Sequence, residues 1–225
     1  MISDLKLGLK LLRYGHGVKN TVVCSILIVL LGIIAAVTDL LSLNTGGLNF
    51  PIGYFLMLGA MFAIQLFYSV NAANLIQSSP LKKKLQTSVP AVLMTFIAMC
   101  GYLISVLAGA VGLMIAPEAA GHFCQQLLYT VLIMATILLY AAVAYKLFIL
   151  STIMFFVIFF STFMYFTDNG WLRSLGGGTG MFWMIAAAGV GILLVCGFLY
   201  YLLSLAVYKR PLSKRAQAGA LRREM

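Results

Sequence analysis

Long apolar stretches separated by short polar turns follow one another along almost the whole chain. Each stretch approaches or exceeds about 18 residues, the length at which an apolar helix can cross a bilayer. Turn-forming sequences mark most of the boundaries: NTGGLNFP, SSPLKKK, APEAAG and TDNGWLRSLGGGTG. The pattern predicts an all-α, polytopic integral membrane protein with six transmembrane helices, at residues 21–41, 51–74, 90–115, 122–145, 147–167 and 181–207.

The boundary between the fourth and fifth spans has no such turn sequence. The 41 residues from Leu127 to Thr167 contain one charge, Lys146, and no Gly, Pro or Asn. One helix of that length would measure about 60 Å, twice the thickness of the bilayer core. Two spans that turn at Tyr145 and Lys146 fit the membrane, so the sequence predicts a helix break there.

Composition supports the membrane interpretation and limits the partners. The chain is 63% hydrophobic and 9% charged, whereas a soluble domain carries about 25% charged residues. These 225 residues therefore leave no room for a separate soluble domain. The net charge of +10 would suit nucleic acid, but the basic residues lie in the segments between the apolar runs. We therefore expect the lipid bilayer, and no nucleic acid, as their partner.

The basic residues also predict orientation, because cytoplasmic segments of membrane proteins are enriched in Lys and Arg. With the N-terminus in the cytoplasm, fourteen of the fifteen basic residues lie inside and only Arg173 lies outside. This predicts a multi-pass protein of the plasma membrane with both termini cytoplasmic. Its parts are an interfacial helix at residues 1–20, the transmembrane domain at 21–207 and a basic cytoplasmic tail at 208–225.

The N-terminal segment has the pattern of a helix that lies on the membrane surface. Lys6, Lys10 and Arg13 have the spacing of one helical stripe, and leucines cover most of the remaining circumference. A helix of this kind places its apolar side in lipid and its cations at the headgroups. The alternative is that these basic residues only attract anionic lipid beside the first span.

The segment SSPLKKKLQTSVP, residues 78–90, is strongly polar and lies between two apolar runs. Ser79 suits a helix N-cap and Pro80 the first helical position. Leu81, Leu85 and Ser88 or Val89 would then share one face, with three lysines on the others. The segment predicts a short amphipathic helix on the cytoplasmic side. The alternative is a loop whose lysines only set the orientation.

An interfacial helix, six spans, cytoplasmic termini and a short helix between spans two and three together resemble the permease subunit of a type-2 ABC exporter. The resemblance implies a homodimer or heterodimer of permeases coupled to a separate ABC ATPase subunit. It implies no enzymatic activity and no cofactor on this chain, since ATP is bound by the partner. The NGWLRSLGGGTG stretch would be a shortened form of the family's extracellular half-helices. ATPase docking would involve Pro80, Leu81, Lys82, Lys83, Lys84, Leu85 and Ser88.

Motifs for chemistry on the chain itself are missing. The four cysteines are single and none forms a pair with metal-ligand spacing. The GGGTG stretch at 176–180 lacks the Gly-Lys-Ser/Thr ending of a phosphate-binding loop. We therefore predict no catalytic, cofactor-binding or metal-binding residues.

Polar residues within the predicted spans are few. In span two they would line a transport path or bond a neighbouring helix; they are Gln65, Ser69, Asn71 and Asn74. Pairs of small residues predict close helix contacts, within one chain or between two: Gly32 with Ala36, Ser105 with Gly109, and Ala187 with Gly191.

Two other functions remain open from the sequence. One is the substrate-capture membrane subunit of a vitamin-uptake transporter, which also has six spans and uses a separate ATPase. Such a subunit needs a polar pocket near the outer surface, for which His122, Gln125 and Gln126 are the candidate cluster. The other is a membrane scaffold that transports nothing.

Overall fold

The computed structural model describes residues 4, 6, 7, 10, 18–42, 55, 56, 58–62, 64, 80–144, 146–168 and 178–211. Apart from short turns these residues are helical, and no strand occurs among them. A short 3₁₀ turn, Pro117–Ala119, joins the third helix to the fourth. The helices are α1 (Val18–Ser42), α2 (Lys82–Gln86), α3 (Ser88–Ile115), α4 (Ala120–Ala144), α5 (Phe148–Asp168) and α6 (Thr179–Val207).

The described helices agree with the predicted all-α class. Three helical stretches are long and apolar enough to cross a membrane: Lys82–Ile115, Pro117–Ala144 and Thr179–Val207. They indicate a membrane protein. The predicted second span, residues 51–74, lies largely outside the described residues, so the count of six spans stays a prediction.

Helix α4 lies at the centre of the described bundle. Helices α3 and α6 pack against α4 and against each other, while α5 packs against α4. In the most apolar part of α4, 61% of the residues are buried inside the protein, compared with 28% for α6. Helix α6 therefore presents most of its apolar surface outward, as expected of a helix that faces lipid or a partner.

The turn between α4 and α5 lies where the sequence places it. Helix α4 ends at Ala144 and α5 begins at Phe148. The backbone N–H groups of Lys146 and Leu147 both donate to the carbonyl oxygen of Val143, at 3.0 and 2.8 Å. These bonds close the end of α4 before the chain enters α5.

Helix α3 begins at Ser88, whereas the sequence predicts its start at Pro90. A proline is tolerated throughout the first turn of a helix, because the N–H that it lacks would have no intrahelical partner there. Pro90 therefore marks the first turn of α3 without fixing its first residue.

A buried tyrosine joins α3 to α6. The hydroxyl of Tyr102 donates to the backbone carbonyl oxygens of Ile185 and Ala186, each at 3.2 Å. A Cβ atom at Gly189 would overlap the Tyr102 ring and the side chain of Val131. The glycine is therefore what allows the hydroxyl to reach the backbone of α6.

The predicted small-residue pairs differ in their surroundings. Gly109 lies against the ring of Phe182, which a Cβ atom would meet at 2.7 Å. Ala187 and Gly191 lie on the exposed face of α6, and a Cβ atom at Gly191 would meet nothing within 4 Å. The close contacts predicted for small residues therefore occur at Gly109, while the Ala187 and Gly191 face is open in this chain.

Two glycines of α6 provide a matched test of this packing. Gly189→Ala should destabilise the protein by about 1–3 kcal/mol, as overpacking usually does, because the added methyl group displaces Tyr102. Gly191→Ala places the same group in open space and should be neutral or stabilising, since alanine favours helix by about 1 kcal/mol over glycine. Thermal unfolding in detergent measures both. Equal melting temperatures for the two variants would contradict the described contact between α3 and α6.

Candidate functional site

Basic residues collect at one end of the bundle. Helices α3 and α5 begin at this end and α4 and α6 end there. We call it the basic end; its cations on α2, in the α4–α5 turn and directly after α6 are Lys82, Lys83, Lys84, Lys146, Lys209 and Arg210.

Helix α2 is a separate short helix at the basic end. It contains five residues, Lys82–Gln86, and no side chain caps its first turn. The predicted cap, Ser79, lies outside the described residues. At Thr87 the backbone leaves helical geometry, with φ −123° and ψ −75°, and the Thr87 hydroxyl donates to the carbonyl oxygen of Lys83 at 2.7 Å. Helix α2 is thus distinct from α3 but bonded directly to its beginning.

The two leucines of this segment point to different environments. Leu85 is 7% exposed and forms a small apolar cluster with Val89 and Leu7. Leu81 is 52% exposed. Of the two leucines only Leu81 is exposed, because Leu85 packs against Leu7 and Val89; a docking role for this segment stays a prediction. Leu81 and the exposed Lys83 remain accessible at α2.

An ion pair also holds the N-terminal segment against α2. The Lys84 ammonium lies 2.7 Å from a carboxylate oxygen of Asp4. Lys6 and Lys10 are exposed, as expected for a stripe of cations, while Arg13 lies outside the described residues. The sequence pattern predicted contact with lipid, and the contact of Asp4 with Lys84 was not predicted. One signal was present, since Asp4 is the only acidic residue before Asp39.

Lys146 connects the α4–α5 turn to the end of α6. Its side chain is 8% exposed and its ammonium donates to the carbonyl oxygens of Arg210, at 2.6 Å, and Tyr208, at 3.4 Å. The last carbonyls of a helix lack intrahelical partners and attract cations. The sequence predicted that Lys146 marks the turn and helps to set the orientation, but not that it bonds to the residues after α6, although a single charge within 41 residues sets it apart.

Electrostatics at Lys146 place α2 in the same cluster. Burial lowers the pKa of the Lys146 ammonium below its usual value of 10.5, and the nearby charge of Lys82 lowers the pKa further. The α4–α5 turn and the residues after α6 thus meet at Lys146, and Lys82 of α2 is near enough for its charge to act on the Lys146 ammonium. The positive charges of Lys82 and Lys146 repel each other there.

The other predicted site residues are only partly described. His122 and Gln126 lie one turn apart on α4, with 3.0 Å between the His122 Nε2 and the Gln126 Nε2 atoms. They and Gln125 lie near the opposite end of the bundle. Within the described part of the chain, no cluster of His, Cys, Asp and Glu forms a metal site. The four polar residues of predicted span two lie outside the described residues: Gln65, Ser69, Asn71 and Asn74.

Substitution of two adjacent lysines, Lys82 and Lys83, tests the repulsion between Lys82 and Lys146. Lys82→Gln should stabilise the protein in nonionic detergent by up to about 1 kcal/mol, the usual size for partly exposed charge pairs, because it removes the charge that opposes Lys146. Lys83→Gln is the control, because it removes the same charge from the exposed neighbour of Lys82 on α2, whereas the charge of Lys82 acts on Lys146. Melting temperatures at low and high salt measure both, and salt should reduce the difference.

The lowered pKa of Lys146 also predicts how the stability of the protein changes with pH. The folded-state pKa of Lys146 lies below 10.5, so the unfolded chain binds this proton more tightly and the contribution to stability should rise as the pH approaches 10.5. The advantage of Lys82→Gln should shrink over the same range. An identical change in melting temperature for Lys82→Gln and Lys83→Gln at every pH would contradict the repulsion between Lys82 and Lys146.

No known protein family, characterised protein or solved structure shows a significant match to this chain. A functional proposal therefore depends on the residues and contacts of the chain itself.

Proposed function

We propose that this chain is the membrane-spanning permease subunit of a type-2 ABC exporter and acts as a homodimer or heterodimer with a separate ATPase subunit that binds ATP. The observation that carries the proposal is α2 itself. It is a short helix at the end of the bundle, set off from an apolar helix by the break at Thr87, and it leaves Leu81 and Lys83 exposed. An element of this kind can bind a partner outside the membrane and transmit its movement into the bundle.

The contacts of α2 provide a route for that movement. Thr87 is bonded to Lys83, and the Ser88 hydroxyl donates to the Lys84 carbonyl oxygen at 3.5 Å. Leu85 and Gln86 are buried, so α2 cannot move independently of the residues that pack against it. A displacement of α2 would pass into α3, which packs against both α4 and α6. In this proposal ATP binding by the partner supplies the displacement, and the chain itself catalyses nothing.

The proposal includes a topology of six transmembrane spans with both termini in the cytoplasm. In this arrangement the basic end, with α2, faces the cytoplasm, where an ATPase subunit has access to ATP. The distribution of Lys and Arg supports the orientation.

Cysteine labelling tests the orientation. In a variant whose native cysteines (Cys24, Cys100, Cys124 and Cys196) are replaced, single cysteines are introduced as Ser174→Cys and Ser213→Cys. A reagent that cannot cross the membrane should label the first in intact cells and the second only after permeabilisation. Equal labelling of both, or the reverse order, would exclude this topology and the exporter proposal with it.

Docking is tested by truncating the exposed leucine. Loss of an apolar contact at the centre of an interface commonly weakens binding by about 1–2 kcal/mol or more, so Leu81→Ala should reduce co-purification of the ATPase subunit and its hydrolysis of ATP. Leu103→Ala is the matched control, because Leu103 is 48% exposed on the apolar face of α3. The partner is the ABC ATPase that co-purifies with the wild-type chain in mild detergent.

Leu85→Ala separates stability from docking. Leu85 packs against Val89 and Leu7, so its truncation should lower the melting temperature, whereas Leu81→Ala should leave it unchanged. Normal association and full ATP hydrolysis with Leu81→Ala would show that α2 does not dock the partner. Failure of any ABC ATPase to co-purify with the wild-type chain would contradict the exporter proposal as a whole.

A further inference from the structure

An apolar groove lies between α3 and α6. Its volume is about 480 Å³, and it runs from Ser88 to Met99 on α3 and from Leu194 to Tyr201 on α6. Small-molecule sites commonly have volumes of about 300–1,000 Å³, so the groove is large enough for a ligand. The side chains that line it are apolar apart from the hydroxyl groups of Ser88, Thr95 and Tyr201.

The shape of the groove follows from a close approach of the two helices at its floor. A Cβ atom at Gly197 would overlap the side chain of Thr95, so the glycine lets α6 come near α3 at this point. The Thr95 hydroxyl donates to the Ala91 carbonyl oxygen at 2.7 Å and is therefore satisfied within α3. On the sides of the groove, Phe96 and Phe198 are 47% and 61% exposed.

The groove occupies the half of the bundle next to the basic end. Ser88 is the first residue of α3, and Tyr201 belongs to the last turns of α6. The Ser88 hydroxyl also bonds the carbonyl oxygen of Lys84. The mouth of the groove therefore lies one helical turn from the lysines of α2. A lipid whose headgroup lies at the membrane surface near these lysines could therefore place its acyl chain between α3 and α6.

Among the residues that the structure describes, positive charge at the mouth exceeds the negative charge found there. Lys84 is paired with Asp4, while Lys83, Lys209 and Arg210 are exposed. Lys82 lies close enough to the buried Lys146 to oppose its charge. Besides the paired Lys84, two cations precede α3 and two follow α6, so both helices that form the groove carry positive charge at the same end. Such a cluster attracts an anionic headgroup.

We propose that the groove holds an acyl chain of an anionic phospholipid, whose headgroup phosphate is bound by the cations of α2 and of the residues after α6. Burial of the acyl chain alone gives little selectivity, because the surrounding lipid offers the same apolar environment. Selectivity for the anionic headgroup therefore arises from Lys82, Lys83, Lys209 and Arg210. The site does not depend on the proposed exporter function.

Fluorescence quenching by brominated lipid tests the site. The two native tryptophans are replaced by phenylalanine (Trp171→Phe and Trp183→Phe), and Phe198→Trp places a reporter in the groove. Phe156→Trp is the matched control: Phe156 is 51% exposed on α5 and lies at a similar distance along its helix from the basic end. The purified proteins are placed in vesicles of phosphatidylcholine and phosphatidylglycerol, with bromine on the acyl chains of one lipid at a time.

Quenching of the groove reporter should give a relative binding constant at least about fivefold higher for phosphatidylglycerol than for phosphatidylcholine. This is the ratio expected when one basic residue binds the headgroup. The control reporter should show a ratio near one. Replacing Lys82, Lys83, Lys209 and Arg210 together by glutamine should bring the groove ratio close to that of the control. Raising the salt concentration should also lower the preference for phosphatidylglycerol in the protein that keeps its four cations. This tests the role of the charges without replacing them.

Two results would overturn the proposal. The same ratio at both reporters would mean that the cations attract anionic lipid around the whole protein without a site in the groove. Absence of quenching by either lipid at Phe198→Trp, with normal quenching at Phe156→Trp, would mean that protein covers the groove, as a second copy of the chain would.

Discussion

Helices in a bilayer gain little by exchanging lipid for one another's apolar side chains, so their association depends on close packing and on polar contacts. The contact between Tyr102 and α6 combines the two. The hydroxyl bonds to the backbone of α6, and it can do so only because Gly189 has no side chain. This contact sets the approach of α3 to α6, and α4 packs against both. The groove on the same pair of helices, with its floor at Gly197, depends on the same approach.

Apart from Lys82, whose charge opposes that of Lys146, the cations of the basic end divide into two groups with different roles. Lys84 and Lys146 are used inside the protein: one pairs with Asp4, and the other bonds the carbonyls after α6. These contacts join Asp4 and the α4–α5 turn to the rest of the described bundle. Lys83, Lys209 and Arg210 remain exposed and are available to a membrane surface or a partner. A count of basic residues, which is sufficient to predict orientation, does not separate the two groups.

Local features of the fold were predictable from the sequence, whereas contacts between distant segments were not. The apolar runs placed α1, α3, α4, α5 and α6 within a few residues of their bounds, because the length of an apolar run and its turn residues are local signals. The inward position of Leu85 depends on Leu7, far away in the sequence, so periodicity within residues 78–90 cannot reveal it. The role of Lys146 likewise depends on where α6 ends. The groove is invisible in the sequence because Thr95 and Gly197 belong to different helices.

The proposed docking element and the proposed lipid site share one structural part, the first turn of α3. Ser88 is bonded to the last lysine of α2 and also lines the groove. If a partner displaces α2, Ser88 moves with it and the width of the groove changes. A lipid that fits one width better than another then favours the corresponding position of α2, because a ligand shifts a conformational equilibrium by its difference in affinity for the two states. The coupling is reciprocal, so binding of the partner would also alter the affinity of the groove for lipid.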